Sequence, residues 1–113
     1  MNTDKEQAKI AETIERAAAC GMQFINLDNE PLIPELTLEL LSIEVARRHR
    51  VIPINWDGST VTIATDDETD TENMDTIRGL LPNYEVTFYL ATNSAMDRAL
   101  DKRYSAKLYE SRA

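Results

Sequence analysis

Near the N-terminus apolar residues recur at helical spacing, with Ile10, Ala11, Ile14 and Ala18 on one stripe. Thr3 and Glu6 read as a capping box ahead of that stripe, and Gly21 is placed to close the helix in a left-handed conformation. The next segment, "MQFINL", carries Phe24, Ile25 and Leu27 and reads as a short strand or extended piece. Pro34 fits the first turn of a second helix, because its missing N–H is no loss there. That helix carries Leu36, Leu38, Leu40 and Leu41, and a bend is expected near Ser42, which caps "IEVARRHR". The period then changes to two. Val51, Ile52 and Ile54 form one strand, Asp57-Gly58 marks a tight turn, and Val61 and Ile63 alternate with threonines on the return strand. Met74, Ile77 and Leu81 restore helical spacing behind a cap at Thr69 or Thr71. "YEVTFYLA" alternates as a further strand, and a last helix from Thr92 or Ser94 sets Met96, Ala99, Leu100 and Tyr104 on one face.

These elements predict an α+β fold: a small three-stranded sheet with a β-hairpin, packed against about four helices. Residues 1–113 are expected to form a single domain with a core over about 8–104, and 105–113 is read as a tail that frays or docks on a neighbour. A chain of 113 residues buries a real core without disulfides or metals. Its 42% hydrophobic and 28% charged residues are those of a globular protein, and no apolar run approaches the roughly 18 residues of a membrane span. The polar start does not resemble a secretory signal, so cytoplasmic residence without direct membrane insertion is the expectation.

The net charge of −8 disfavours nucleic acid as a partner, since phosphate contacts draw on clustered Lys and Arg. One cysteine, Cys20, and one histidine, His49, are poor material for a disulfide, a multi-histidine metal site or a Cys–His nucleophile. The three glycines form neither a Gly-x4-Gly-Lys-Ser/Thr phosphate loop nor a Gly-x-Gly turn. The acidic run from Asp66 to Asp75 puts Thr71 and Ile77 where a calcium loop requires Gly and Glu, so it reads as carboxylates gathered at a helix start. No catalytic residue, metal or cofactor is expected.

Two features stand out. Arg47, Arg48 and Arg50 are set side by side in an acidic chain; they complement the carbonyl end of a helix, or form an anion site, because guanidinium forks suit phosphate. Trp56 precedes the turn and either marks a contact surface or folds back over the sheet.

The arrangement resembles the N-terminal domain of type II secretion and type IV pilus assembly ATPases. The resemblance is carried by "QFINLD" (23–28), "IPELTLELLSIEVARRHRVIPI" (33–54), "DGSTVTIATDDETDTENMDTIR" (57–78) and "YEVTFYLATNSAMDRALDKRY" (84–104). Arg47 to Pro53 matches the family's arginine-rich approach to the hairpin. Ala64, Asp67 and Asp70 match its helix-entry signature, with Glu68 where proline is usual. The resemblance implies a non-enzymatic interaction module that docks an ATPase or its regulator onto a protein partner, the cytoplasmic part of an inner-membrane secretion or pilus platform protein. It also implies recruitment to the inner membrane through that partner. Contact residues expected on this basis are Arg47, Arg48, Arg50, Trp56, Leu108 and Tyr109. The alternative is a nucleotide or cyclic dinucleotide sensor using the Arg47/Arg48/Arg50 cluster. The family's repeated Arg-Leu-Gly motif for cyclic di-GMP has no counterpart here, since Arg16 opens "RAAACG".

Overall fold

Gly58, at φ 101°, turns the hairpin that the alternating β-branched residues predict, in the computed structural model of the chain. The Asp57 carboxylate braces that turn by accepting from the Thr60 and Ser59 amides at 2.8 and 3.1 Å, and these bonds hold its pKa below the ordinary value. The structure describes backbone for residues 2–29, 37 and 39–112, and side chains for 5–28, 37 and 39–102. The expected helix entry at Pro34, with Leu36 and Leu38, lies outside the described residues.

In chain order the elements are α1 (Asn2–Ala19), β1 (Gln23–Phe24), a 3-10 turn (Leu27–Asn29) and α2 (Ile43–His49). The hairpin strands β2 (Val51–Trp56) and β3 (Thr60–Thr65) follow, then α3 (Thr71–Leu80), β4 (Glu85–Leu90) and α4 (Asn93–Arg112). The sheet has four strands in the order β1-β4-β3-β2, not the three expected. The extra strand is the two-residue β1, which pairs parallel to β4 through Gln23–Tyr89 and Phe24–Leu90. Its sequence carries the apolar residues of a strand, but so short a run acquires a partner only through tertiary packing. β3 and β4 are also parallel, with α3 as the crossover between them, and β2–β3 is antiparallel with a bulge between Pro53 and Asn55.

The sheet divides the core into two layers. Successive residues of β2 alternate between them: Ile52 joins Ala64, Ala46 and the α4 residues Ala95, Met96, Ala99 and Leu100, while Val51 joins Val61, Ile63, Phe88 and the α3 residues Met74 and Ile77. Alternation on the strands thus meets 3.6-residue spacing on a helix at each face.

Three local expectations are corrected. α1 starts at Asn2, so Thr3 stands inside the helix, and its side chain lies outside the described residues. The buried face of α1 is Thr13 and Ala17, whereas Ile14 is 45% exposed. The Thr13 hydroxyl donates to the Lys9 carbonyl at 2.7 Å, which satisfies it locally and allows a polar residue to take the inward position. Asp70, not Thr69 or Thr71, caps α3, its Oδ1 accepting from the Asn73 amide at 3.0 Å; a carboxylate adds a favourable charge at the positive end of the helix. α4 continues as helical backbone to Arg112 through the segment read as a tail.

Candidate functional site

The basic cluster is placed by the ends of α2. Ser42 caps the helix start, its Oγ accepting from the Val45 amide at 3.2 Å, and Arg47, Arg48 and His49 form the last turn. Arg50 closes the helix in the left-handed region, at φ 51° and ψ 57°. This position redirects its side chain away from the path of the α2 residues and across the end of β3. Arg50 Nε donates to Asp66 Oδ2 at 2.7 Å, and Nη2 reaches Asp97 at 2.8 Å and the Asn93 carbonyl at 3.3 Å. The Asp66 side chain is only 5% exposed and also accepts from Asn93 Nδ2 at 3.0 Å. Burial works against the Arg50 charge, but the bonds to Asp66 and Asp97 outweigh it and raise its pKa above the ordinary guanidinium value.

The other basic residues go elsewhere. Arg47 pairs with Asp101 at 3.2 Å on the surface of α4. His49 is bound to α3 twice, through Nδ1 facing Asn73 Oδ1 and through its carbonyl, which accepts from Asn73 Nδ2 at 2.8 Å. Arg48 has no ion pair among the described residues and borders an open cleft of about 250 Å³ with Asp66, Asp67 and Asp70. The three arginines therefore do not converge on one anion. Two are held by carboxylates, and the third faces an acidic wall.

Trp56 folds back over the sheet. It is half-buried among the residues of the α3-side core, meets Tyr84 edge-on at 6.2 Å and 88°, and its Nε1 is buried without a hydrogen-bond partner among the described residues. Leu108 and Tyr109 sit on helical backbone, but their side chains lie outside the described residues.

A second cleft, of about 440 Å³, lies between α1 and the start of α4. Lys5, Glu6, Lys9, Thr13 and Arg16 line it from α1, and Thr92, Asn93 and Ser94 from α4. Arg16 reaches across to Glu68 (Nε–Oε2 2.8 Å), which holds the Glu68 carboxyl down at about 2. Arg98 grips Asp28 in a fork at 3.0 and 2.7 Å and touches Glu6 at 3.1 Å, so α1, the 3-10 turn and α4 are tied together. Sequence reading passed over this cleft. The only signal for it was the pair of lysines four apart on one helix face.

Among the described residues no group of three or more His, Cys, Asp or Glu is arranged to hold a metal ion, and no helix is long and apolar enough to cross a membrane.

Residues 20–110 match the family described as the MshEN domain. The chain belongs to the MshEN family. This agrees with the N-terminal ATPase-domain resemblance in the sequence, and the solved structures concur. The structure of MshE with cdg superposes with a TM-score of 0.71 at 26% identity, covering 78% of this chain and 63% of that one. Two crystal forms of the N-terminal domain of XpsE give TM-scores of 0.65 and 0.67 at 15% and 14% identity, covering 76% and 87% of this chain and 60% and 65% of theirs. The XpsE likeness is one of fold. The MshEN chain described here thus spans less than two thirds of the solved chains it matches. No curated protein matches it. Glu68, which stands where the resemblance in the sequence leads to an expectation of proline, receives Arg16 and so tethers the approach to α3 to α1.

Proposed function

We propose that this MshEN domain is a non-enzymatic docking module that joins a secretion or pilus ATPase, or its regulator, to the cytoplasmic part of an inner-membrane platform protein. The observation that carries the reading is the family match over residues 20–110. The ion-pair geometry supports it, because Arg50 serves the fold and the basic residues at the end of α2 are not gathered into a reaction centre. Contact is assigned to exposed charge at the end of α2, chiefly Arg47 and Arg48, together with Leu108 and Tyr109 on α4. Trp56 packs on the α3 side of the sheet and supports the hairpin. Recruitment to the membrane and cytoplasmic residence follow from this partner. Titration calorimetry against the partner's cytoplasmic domain tests the reading. A stoichiometric complex weakened by Arg48→Glu and by added salt supports it, and absence of binding at high protein concentration overturns it.

A second reading is favoured by one observation, the solution of MshE with cdg. On that reading the domain senses a cyclic dinucleotide. The Arg47/Arg48/Arg50 cluster is poorly suited to hold it, since two of its members already have carboxylate partners. Calorimetry with cyclic di-GMP separates the readings: a saturable heat without the protein partner favours the sensor.

A further inference from the structure

The chain has 20 acidic residues, yet among the described residues the cleft between α1 and α4 is lined by one carboxylate, Glu6, and Arg98 already holds it at 3.1 Å. Against that stand Lys5 and Lys9, exposed, four apart on one face, and without an ion pair among the described residues. Like charges at this spacing oppose helix formation by a few tenths of a kcal/mol. Glu6 and Glu12 lie three residues either side of Lys9, but among the described residues no carboxylate comes within ion-pair distance of either lysine. On the opposite wall, α4 has no acidic residue in its first turn. The Thr92 hydroxyl accepts from the Ala95 amide at 3.2 Å, which leaves the Asn93 and Ser94 amides at the head of the helix without intrahelical partners. Arg16 completes the rim, with its charge shared by Glu68. At about 440 Å³ the space is that of a small-molecule site, larger than an inorganic ion requires.

We propose that this cleft binds the terminal phosphate of a phosphorylated small molecule, with Lys5 and Lys9 neutralising the dianion and the Ser94 hydroxyl and amide orienting it. Two uncommitted positive charges suit a monoester dianion better than a singly charged carboxylate. The site is independent of the docking reading, and it uses none of the arginines assigned to that surface.

The test is a ¹H–¹⁵N titration of the whole chain with inorganic phosphate and with pyrophosphate, with ionic strength held constant by sodium chloride. Saturable shifts at Lys5, Lys9, Asn93 and Ser94 are expected, together with at least a tenfold loss of affinity in the Lys5→Gln/Lys9→Gln double variant. Arg47→Ala should bind as the parent does. Ser94→Asp, which puts a carboxylate into the cleft from the other wall, should also abolish binding, and it serves if the lysine variant melts early. Shifts that acetate reproduces equally, shifts that never saturate, or affinity unchanged in both cleft variants would each overturn the proposal.

Discussion

Replacing Arg50 by alanine removes a guanidinium from a carboxylate that has little other company. Asp66 is 5% exposed, and once Arg50 Nε at 2.7 Å is gone it retains, among the described residues, only Asn93 Nδ2 at 3.0 Å. Breaking a fully buried pair costs about 3–5 kcal/mol, and losing an exposed one costs about 0–1. Arg50 is 40% exposed and water can enter its place, which puts the expected loss near 2 kcal/mol. For a domain of this size that is a fall in melting temperature of roughly 10 °C. The backbone gives an internal control. At φ 51° and ψ 57° any residue with a Cβ is strained by about 1 kcal/mol, so Arg50→Gly should lose the same ion pair and still melt above Arg50→Ala. Thermal and urea unfolding of Arg50→Ala, Asp66→Asn and the double variant complete the cycle. The two single losses should overlap, so that the double variant is more stable than their sum predicts by about 1 kcal/mol or more. An Arg50→Ala protein within about 0.5 kcal/mol of the parent, or strictly additive losses, refutes the reasoning.

Three further outcomes are expected. Glu68 titrates at about 2 when folded, against an ordinary 4.5, so its contribution is full above pH 4.5 and is lost as pH falls toward 2; Glu68→Gln should flatten the acid limb of melting temperature against pH. The size is at most about 1 kcal/mol, because Arg16 is 37% exposed, and a variant whose acid limb matches the parent's contradicts it. Ile77→Ala, at 0% exposure between α3 and the sheet, should cost about 2–5 kcal/mol in urea unfolding, whereas Ile14→Ser at 45% exposure should stay within about 0.5. Trp56→Phe deletes a buried N–H that has no partner, and this offsets much of the lost packing, so a change below about 1 kcal/mol is expected; a loss of several would show that the indole N–H is satisfied in solution.

What the sequence disclosed, it disclosed where local physics decides. The hairpin was legible because Asp57-Gly58 favours one turn, and its flanking strands alternate at period two; Ser42 was legible as a cap because its hydroxyl needs only the amide three residues on. The cap of α3 was misassigned among neighbours of similar capping strength, and the deciding factor was the extra charge of Asp70. The inward face of α1 was misread for a different reason. Hydrophobicity pointed to Ile14, but the contact with β1 and β4 is close, and the smaller Thr13 and Ala17 take it. Likewise β1 becomes a strand only because β4 lies beside it.

The same division explains the sites. Four basic residues at the end of α2 were visible as a helix terminus, and that reading accounts for Arg47, Arg48 and His49. It did not reveal that Arg50 enters the left-handed region and therefore spans from β3 to α4, to Asp66 and Asp97. Nor did two lysines on α1 reveal a cleft, since its other wall begins at Thr92, brought alongside by parallel pairing of β4 with both β1 and β3. Charge in this chain is thus assigned its role by strand order. β4 runs in the middle of the sheet, so α4 must start at the edge where α1, α2 and the β3 end meet, and whichever cations face that start without a carboxylate of their own remain free to bind something else.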